Sequence, residues 1–321
     1  MNNISHVSVC FNSNRIVNSE PIFIADTVCL RSAREFECAL IDDKLELLTK
    51  GGLFANDIAL LGTWHPKDDG SGGTYIRSDR PRPYVVLDTK SFKEQRVHES
   101  LLLIAEPPLL FGFGLQLSGD KLCSVKIHSE ALFQLGNPVV DRLNEQLVSL
   151  TKLDENSFRS IWNATASWSV TDWTRPLGMI DQYAQALRLS PGSRFQFLAL
   201  CTVIEGMLVH RPKSSDSTES TSRQIKRKIP LLFRRCPSPA LPSNFFPKFK
   251  DDQSRDALWG ALYDLRSEIA HGDQPTFTGS GKGKIDLVDL ESCVKYVSAT
   301  CRMLLRQLIL EPQLMRDLQN V

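Results

Sequence analysis

The sequence predicts an α+β protein, with a β-rich domain over residues 1–135, a connecting segment over 136–175 and an all-α bundle over 176–321. Three observations carry this reading. Apolar residues alternate at period two in the first part of the chain, they recur in steps of three and four from about residue 140 onward, and Pro-, Gly- or polar-rich connectors separate the later runs. A chain of 321 residues is long enough for two domains, each with its own core.

In the first domain Val7, Val9 and Phe11 alternate. So do Phe36, Cys38 and Leu40 before Asp42-Asp43, and Leu45 and Leu47 after them, a pattern that predicts hairpins. The clearest hairpin joins residues 111–117 to 122–128 through Ser118-Gly119-Asp120-Lys121, whose Gly and Asp suit a tight turn. The loop 67–73 and the run Arg80-Pro81-Arg82-Pro83 carry too many helix breakers for a helix. Together these features predict a sandwich or barrel-like domain.

In the bundle, residues 176–189 read as one helix, and Ser190-Pro191 supplies an N-cap and a first-turn proline for the next. Its stripe, Phe197, Cys201, Ile204 and Leu208, faces a core. A third helix covers 219–235, bent or ended by Pro230. The fourth runs from Ser254 as N-cap through Leu258, Ala261, Leu262, Leu265 and Ile269 to Gly272, a natural residue just past a helix end. The last, from Asp286, repeats Leu290, Val294, Val297, Cys301, Leu304 and Leu308, a bundle or dimer seam.

Composition narrows the chemistry. A chain with 42% hydrophobic and 23% charged residues is an ordinary soluble type, and a net charge of +1 gives no global pull on polyanions, so nucleic-acid affinity would have to come from a local patch. Eight cysteines without a CxxC pair or a Cys/His cluster at ligand spacing predict reduced thiols, with no structural metal and no disulfide framework. Residues 1–20 lack a basic start and an apolar core. The most apolar stretch, 101–117, is interrupted by Glu106, Pro107 and Pro108, so the expectation is a cytoplasmic protein with no membrane partner. No Gly-x-Ser-x-Gly elbow, His-Glu-x-x-His or strand-to-helix Gly-x-Gly-x-x-Gly occurs, and Gly283 replaces the Ser/Thr that a Walker A motif needs after Lys282. No cofactor is expected.

The chemistry concentrates in Arg266-Ser267-Glu268-Ile269-Ala270-His271, followed by Gly272. A guanidinium forks onto phosphate oxygens and an imidazole moves protons near neutrality, so the pair can cleave RNA without a metal. Arg266 would hold the scissile phosphate, and His271 would act as base toward a ribose 2′-OH or as acid toward the leaving 5′-oxygen, giving a 2′,3′-cyclic phosphate. With 22 Arg and 6 His, an Arg-x(4 to 6)-His spacing arises about once in a shuffled chain, so context has to carry the weight. Residues five apart on a regular helix point roughly 140° apart. Either the helix loosens at 270–272, or the site is built from pairs on two subunits; a solvated Arg and a His at the helix C-terminus is the plainer alternative.

Glu205 is the one charge between Arg194 and His210 in an apolar run, and a carboxylate there wants a partner. It either orients Arg266 or His271, or forms a purely structural ion pair. Arg223, Lys226, Arg227, Lys228, Arg234 and Arg235 crowd into one short stretch, the pattern of a phosphate-tracking face and equally of a solvated one. Lys282 and Lys284 lie in a Gly-rich basic loop that could also touch phosphate. Trp162, Trp168 and Trp173 could stack on bases or pack between domains.

The ordered combination of Phe197-x-x-Leu200-x-x-x-Ile204-Glu205, a basic helix, and Leu262-Tyr263-Asp264-Leu265-Arg266-Ser267-Glu268-Ile269-Ala270-His271-Gly272 resembles the HEPN domains, in particular their Apea-like branch. The resemblance spans roughly 176–310. It implies a helical bundle that dimerises so that two Arg-x4-His motifs share a cleft, and in many members a metal-independent endoribonuclease of toxin or antiviral-defence type. Carried over, Arg266 and His271 are the catalytic pair, Glu205 and Ser267 support them, and Arg223, Lys226, Arg227, Lys228, Lys282 and Lys284 face RNA. Many active members carry Asn, Asp or His where this chain has Ser267, whose hydroxyl brings no charge. A second reading follows: a dimeric regulator or scaffold that binds RNA or a nucleotide without cutting. Either way the implied partners are RNA, a second copy of the chain, and an antitoxin or trigger molecule sensed by the first domain.

Overall fold

The computed structural model describes residues 4–10, 15–16, 20–50, 64–66, 75–77, 84–90, 92–127, 149–151, 154–210, 220–236, 240–247, 249, 255–277 and 285–320. The chain divides into two compact units, Met1–Ala166 and Ser167–Val321. The expected α+β class is present, with an antiparallel sheet in the first unit and helices in the second.

The first unit is built on six antiparallel strands, β1 (Ile4–Cys10), β3 (Ile22–Ala25), β4 (Val28–Ser32), β7 (Val85–Thr89), β8 (Phe111–Ser118) and β9 (Lys121–Ile127), in the order β3-β4-β7-β1-β8-β9. Two short ladders accompany it, β2 (Arg15–Ile16) parallel to β10 (Ser149–Leu150), and β5 (Trp64–Pro66) antiparallel to β6 (Tyr75–Arg77). Val9 stands opposite Val86 on one side and Phe113 on the other, which makes β1 central. The hairpin β8-β9 turns at Gly119-Asp120, where Gly119 has φ +60° and so takes the left-handed conformation that the sequence anticipated.

Three helices correct the sandwich or barrel expectation: α1 (Glu35–Lys50), α2 (Phe92–Leu103) and α3 (Asp154–Thr165). Among the described residues there is one main sheet with helices on it, not two sheets face to face. On α1 the side chains Cys38, Ile41 and Leu45 join Val7, Val9, Val86 and Phe113 in one cluster. Their three- and four-residue steps are helical, and they outweigh the Phe36-Cys38-Leu40 alternation that suggested a hairpin. Ser8 points to the other face, where its hydroxyl donates to Glu99 of α2 at 2.6 Å and accepts from Gln95. There α2 packs on β1 and β7, and α3 packs on β3 and α2.

The second unit holds α4 (Val170–Leu187), α5 (Arg194–Leu208), α6 (Thr221–Arg235), α7 (Arg255–His271), α8 (Leu290–Leu310) and α9 (Pro312–Asn320). The first of these starts six residues before Pro176, because the Asp172 carboxylate accepts the Ser169 N–H at 2.9 Å and fixes the N-terminus there. Ser190-Pro191 does not open α5. The chain turns through Gly192 at φ +62°, and Ser193 caps the helix by accepting from the Gln196 N–H at 3.1 Å. Pro230 does not end α6, which continues to Arg235 with Ile229, Leu232 and Phe233 buried. Ser254 lies outside the described residues.

All five other helices touch α5, which explains why it is apolar almost all round. The 3-4 repeat on α8 faces this same core: Val297, Cys301 and Leu304 are fully buried, and so are Tyr296, Thr300 and Leu305 on its other flanks. That repeat is therefore an internal seam of the bundle and offers no free surface for a second copy.

Candidate functional site

Glu205 lies in the last turn of α5, and α7 crosses it in the opposite direction. The Arg266 Nε stands 3.2 Å from Glu205 Oε1, within ion-pair range but off the line of a hydrogen bond, while an Arg266 terminal nitrogen donates to Oε2 at 3.5 Å. Tyr263, one turn before Arg266, donates its hydroxyl to Oε1 at 3.1 Å, and the guanidinium carbon sits 5.7 Å from the centre of its ring. Burial, the Glu205 charge and this hydrogen bond together push the Tyr263 phenol up to about 12. Arg266 is thus steered by a carboxylate and a phenol, and both it and Glu205 remain partly exposed, at 31% and 20%.

Cys201, one turn before Glu205, is no nucleophile. Burial and the Glu205 charge hold its thiol well above the ordinary range.

His271 is exposed in the last turn of α7. The helix does not loosen before it. Gly272 at φ +83° accepts the chain reversal, its N–H donating to the Ile269 carbonyl at 3.1 Å and the Asp273 N–H to the Glu268 carbonyl at 2.9 Å. With α7 regular through His271, its imidazole and the Arg266 guanidinium stay roughly 140° apart in azimuth within one chain. Beyond the turn, the Glu268 carboxylate accepts the Thr276 N–H at 2.8 Å and Arg194 donates to Gln274 at 3.1 Å. Ser267 is half-buried on the same helix.

The basic stretch on α6 splits in two. Arg223, Arg227 and Arg234 are exposed, and Arg235 pairs with Glu311 at 3.0 Å. Lys226 runs its stem along α7 where Gly260 has no side chain; a Cβ there would meet its Cε and Nζ at 3.1 Å. Lys228 departs from the expectation of a phosphate contact: it is 1% exposed and donates to the Leu208 carbonyl at 2.9 Å and to Gln224 at 3.0 Å, closing the open end of α5. Its position among Ile225, Ile229 and Leu232 at helical spacing puts it on the buried stripe. Lys282 and Lys284 lie outside the described residues.

Trp162 meets His98 at 4.4 Å between ring centres with planes tilted by 51° in the first unit, whereas Trp168 and Trp173 meet edge to face at 5.0 Å in the second. All eight cysteines are free. Among the described residues no group of three or more His, Cys, Asp or Glu gathers as metal ligands would, and no helix is long and apolar enough to cross a membrane.

The fold and site define an α+β chain whose helical unit presents a guanidinium tethered by Glu205 and Tyr263 beside an exposed terminal imidazole. No family model, no curated protein and no solved structure matches the chain.

Proposed function

We propose that the protein is a metal-independent endoribonuclease of the HEPN type, with Arg266 and His271 from two copies of the chain meeting on one phosphodiester. The observation that supports this most is the Glu205–Arg266–Tyr263 arrangement. It fixes the azimuth of the guanidinium yet leaves its other N–H donors without a protein partner among the described residues, free for phosphate oxygens.

In the reaction, His271 of one copy removes the 2′-OH proton and the 2′-oxygen attacks phosphorus. The P–O5′ bond breaks, and the second imidazole supplies the proton to the leaving oxygen. Arg266 neutralises the charge that builds on the phosphoryl oxygens. The products are a 2′,3′-cyclic phosphate and a 5′-hydroxyl. Two copies supply both imidazoles, which answers the divergence of the pair within one chain. Because the α8 repeat is internal, the dimer contact belongs to another surface.

A second reading is favoured by His271 itself, which has no hydrogen-bonding partner among the described residues to set its tautomer, and by Ser267 beside Arg266. In that reading the dimer binds RNA or a nucleotide without cutting it. Incubating the full chain with total RNA in excess EDTA separates the two. Cyclic-phosphate ends that vanish on His271→Ala support the nuclease; salt-sensitive binding with intact RNA at every dimer concentration supports the regulator.

A further inference from the structure

The first unit contains a cleft that the nuclease reading does not use. It lies between α2 and α3 and is lined by His98, Leu101, Leu102 and Ala105 from one side, Phe158, Ile161 and Trp162 from the other, with Ile24 of β3 at its floor. Counting its open mouth it spans about 240 Å³, of which only room for one water-sized group is enclosed. Arg159 fastens α3 to β3 by donating to the Phe23 carbonyl at 2.7 Å, so the two walls belong to one framework.

Among the described residues His98 is the one ionisable group in this lining and is 2% exposed. Neither ring nitrogen has a hydrogen-bonding partner among the described residues. A buried donor or acceptor left unpaired destabilises the fold, and a neutral imidazole carries one of each. Its neighbours on α2 are not in this position, since Gln95 and Glu99 are both bonded to Ser8. Trp162 lies against the imidazole with ring centres 4.4 Å apart and planes tilted by 51°, and is itself only half-buried, so an apolar ring lines the cleft beside His98. Burial lowers the His98 pKa to about 4, so the imidazole is neutral at pH 7.

We propose that this cleft is a binding site for a small neutral molecule with a hydroxyl on a flat apolar body, the hydroxyl bonding to His98 inside and the body lying on Trp162 at the mouth. A hydroxyl can both give and take a hydrogen bond, which matches a neutral imidazole. Among the described residues no charged side chain lines the cleft, so a charged ligand would be desolvated without compensation.

The test uses the full chain and 4-fluorophenol, followed by fluorine NMR. Saturable binding is expected, weakened about tenfold or more in His98→Phe, which keeps an aromatic ring against Trp162 and removes the nitrogens. Fluorobenzene, lacking the hydroxyl, is expected to bind wild type weaker by a similar factor, a comparison that needs no variant. Arg266→Ala should leave 4-fluorophenol binding unchanged, which separates this site from the nuclease reading. Absence of saturable 4-fluorophenol binding, equal affinities for the two probes, or undiminished binding in a folded His98→Phe would each overturn the proposal, leaving His98 facing a buried water only.

Discussion

Each unit contains an arginine–glutamate pair, and the two are built differently. In the first, Arg31 grips Glu37 with two bonds of 2.7 Å each, its Nε donates to Asp88 at 2.9 Å, and Glu37 also accepts the Arg34 N–H at 2.7 Å with no exposure at all. These hydrogen bonds and charges more than offset burial and hold the Arg31 guanidinium firmly protonated. In the second, Arg266 meets Glu205 at 3.2 and 3.5 Å, off line at Nε and partly open to solvent. In the first pair four of the five Arg31 N–H donors are engaged, the fourth on the Ser32 carbonyl at 3.1 Å, which locks α1 onto the sheet. The second is looser, with one terminal nitrogen of Arg266 bonded to Glu205 and its Nε off line.

The contrast can be broken most forcefully at Glu37. Glu37→Ala leaves a buried guanidinium half-satisfied and is expected to lower stability by about 3–5 kcal/mol in urea unfolding. Arg266→Ala should do the opposite: a stability change below about 1 kcal/mol with cleavage slowed about 100- to 1000-fold. If both variants lose stability equally, the distinction between a locked and an available arginine fails.

Acid sharpens a second contrast, between the first unit with and without the His98 imidazole. The unfolded chain takes up a proton at His98 near pH 6.5, whereas the folded chain resists until about 4. The depressed native value means that stability is lost as pH falls from 6.5 toward 4, by up to about 3 kcal/mol. Thermal unfolding across that range should show a shallower slope in His98→Phe than in the wild type. His6, also buried and lowered by desolvation, adds a slope common to both proteins.

The smallest effect separates the two kinds of cation on α6. Arg227→Ala should reduce the salt dependence of RNA binding by a slope of about 1 per contact removed, with little change in stability. Lys228→Met should leave that slope alone and instead lower stability by about 1–3 kcal/mol, because the Leu208 carbonyl loses its donor.

Much of the second unit was legible because long helices announce themselves by period and cap. Phe197, Cys201, Ile204 and Leu208 are all buried as their spacing implied, and Gly272 ends α7. The Glu205–Arg266 pairing followed from one carboxylate stranded in an apolar run. Tyr263 was missed, although its place three residues before Arg266 on one helix was a usable signal. Lys228 was misplaced because charge was weighed before the buried stripe on which it falls. In the first unit α1 escaped detection since short apolar alternations fit strand and helix alike. His98 left no mark, because a lone imidazole becomes informative only when its surroundings are seen.

The left-handed glycine after His271 has one more consequence. With Gly272 at φ +83° and the following segment tied back through Glu268 to Thr276, the imidazole is mounted on a stop that cannot slide along the helix. The number of residues between the guanidinium and that stop works as a gauge: one added or removed residue would rotate the ring by about 100° and shift it by about 1.5 Å. Four intervening residues are thus a machined dimension of the molecule, set by where the helix is forced to finish.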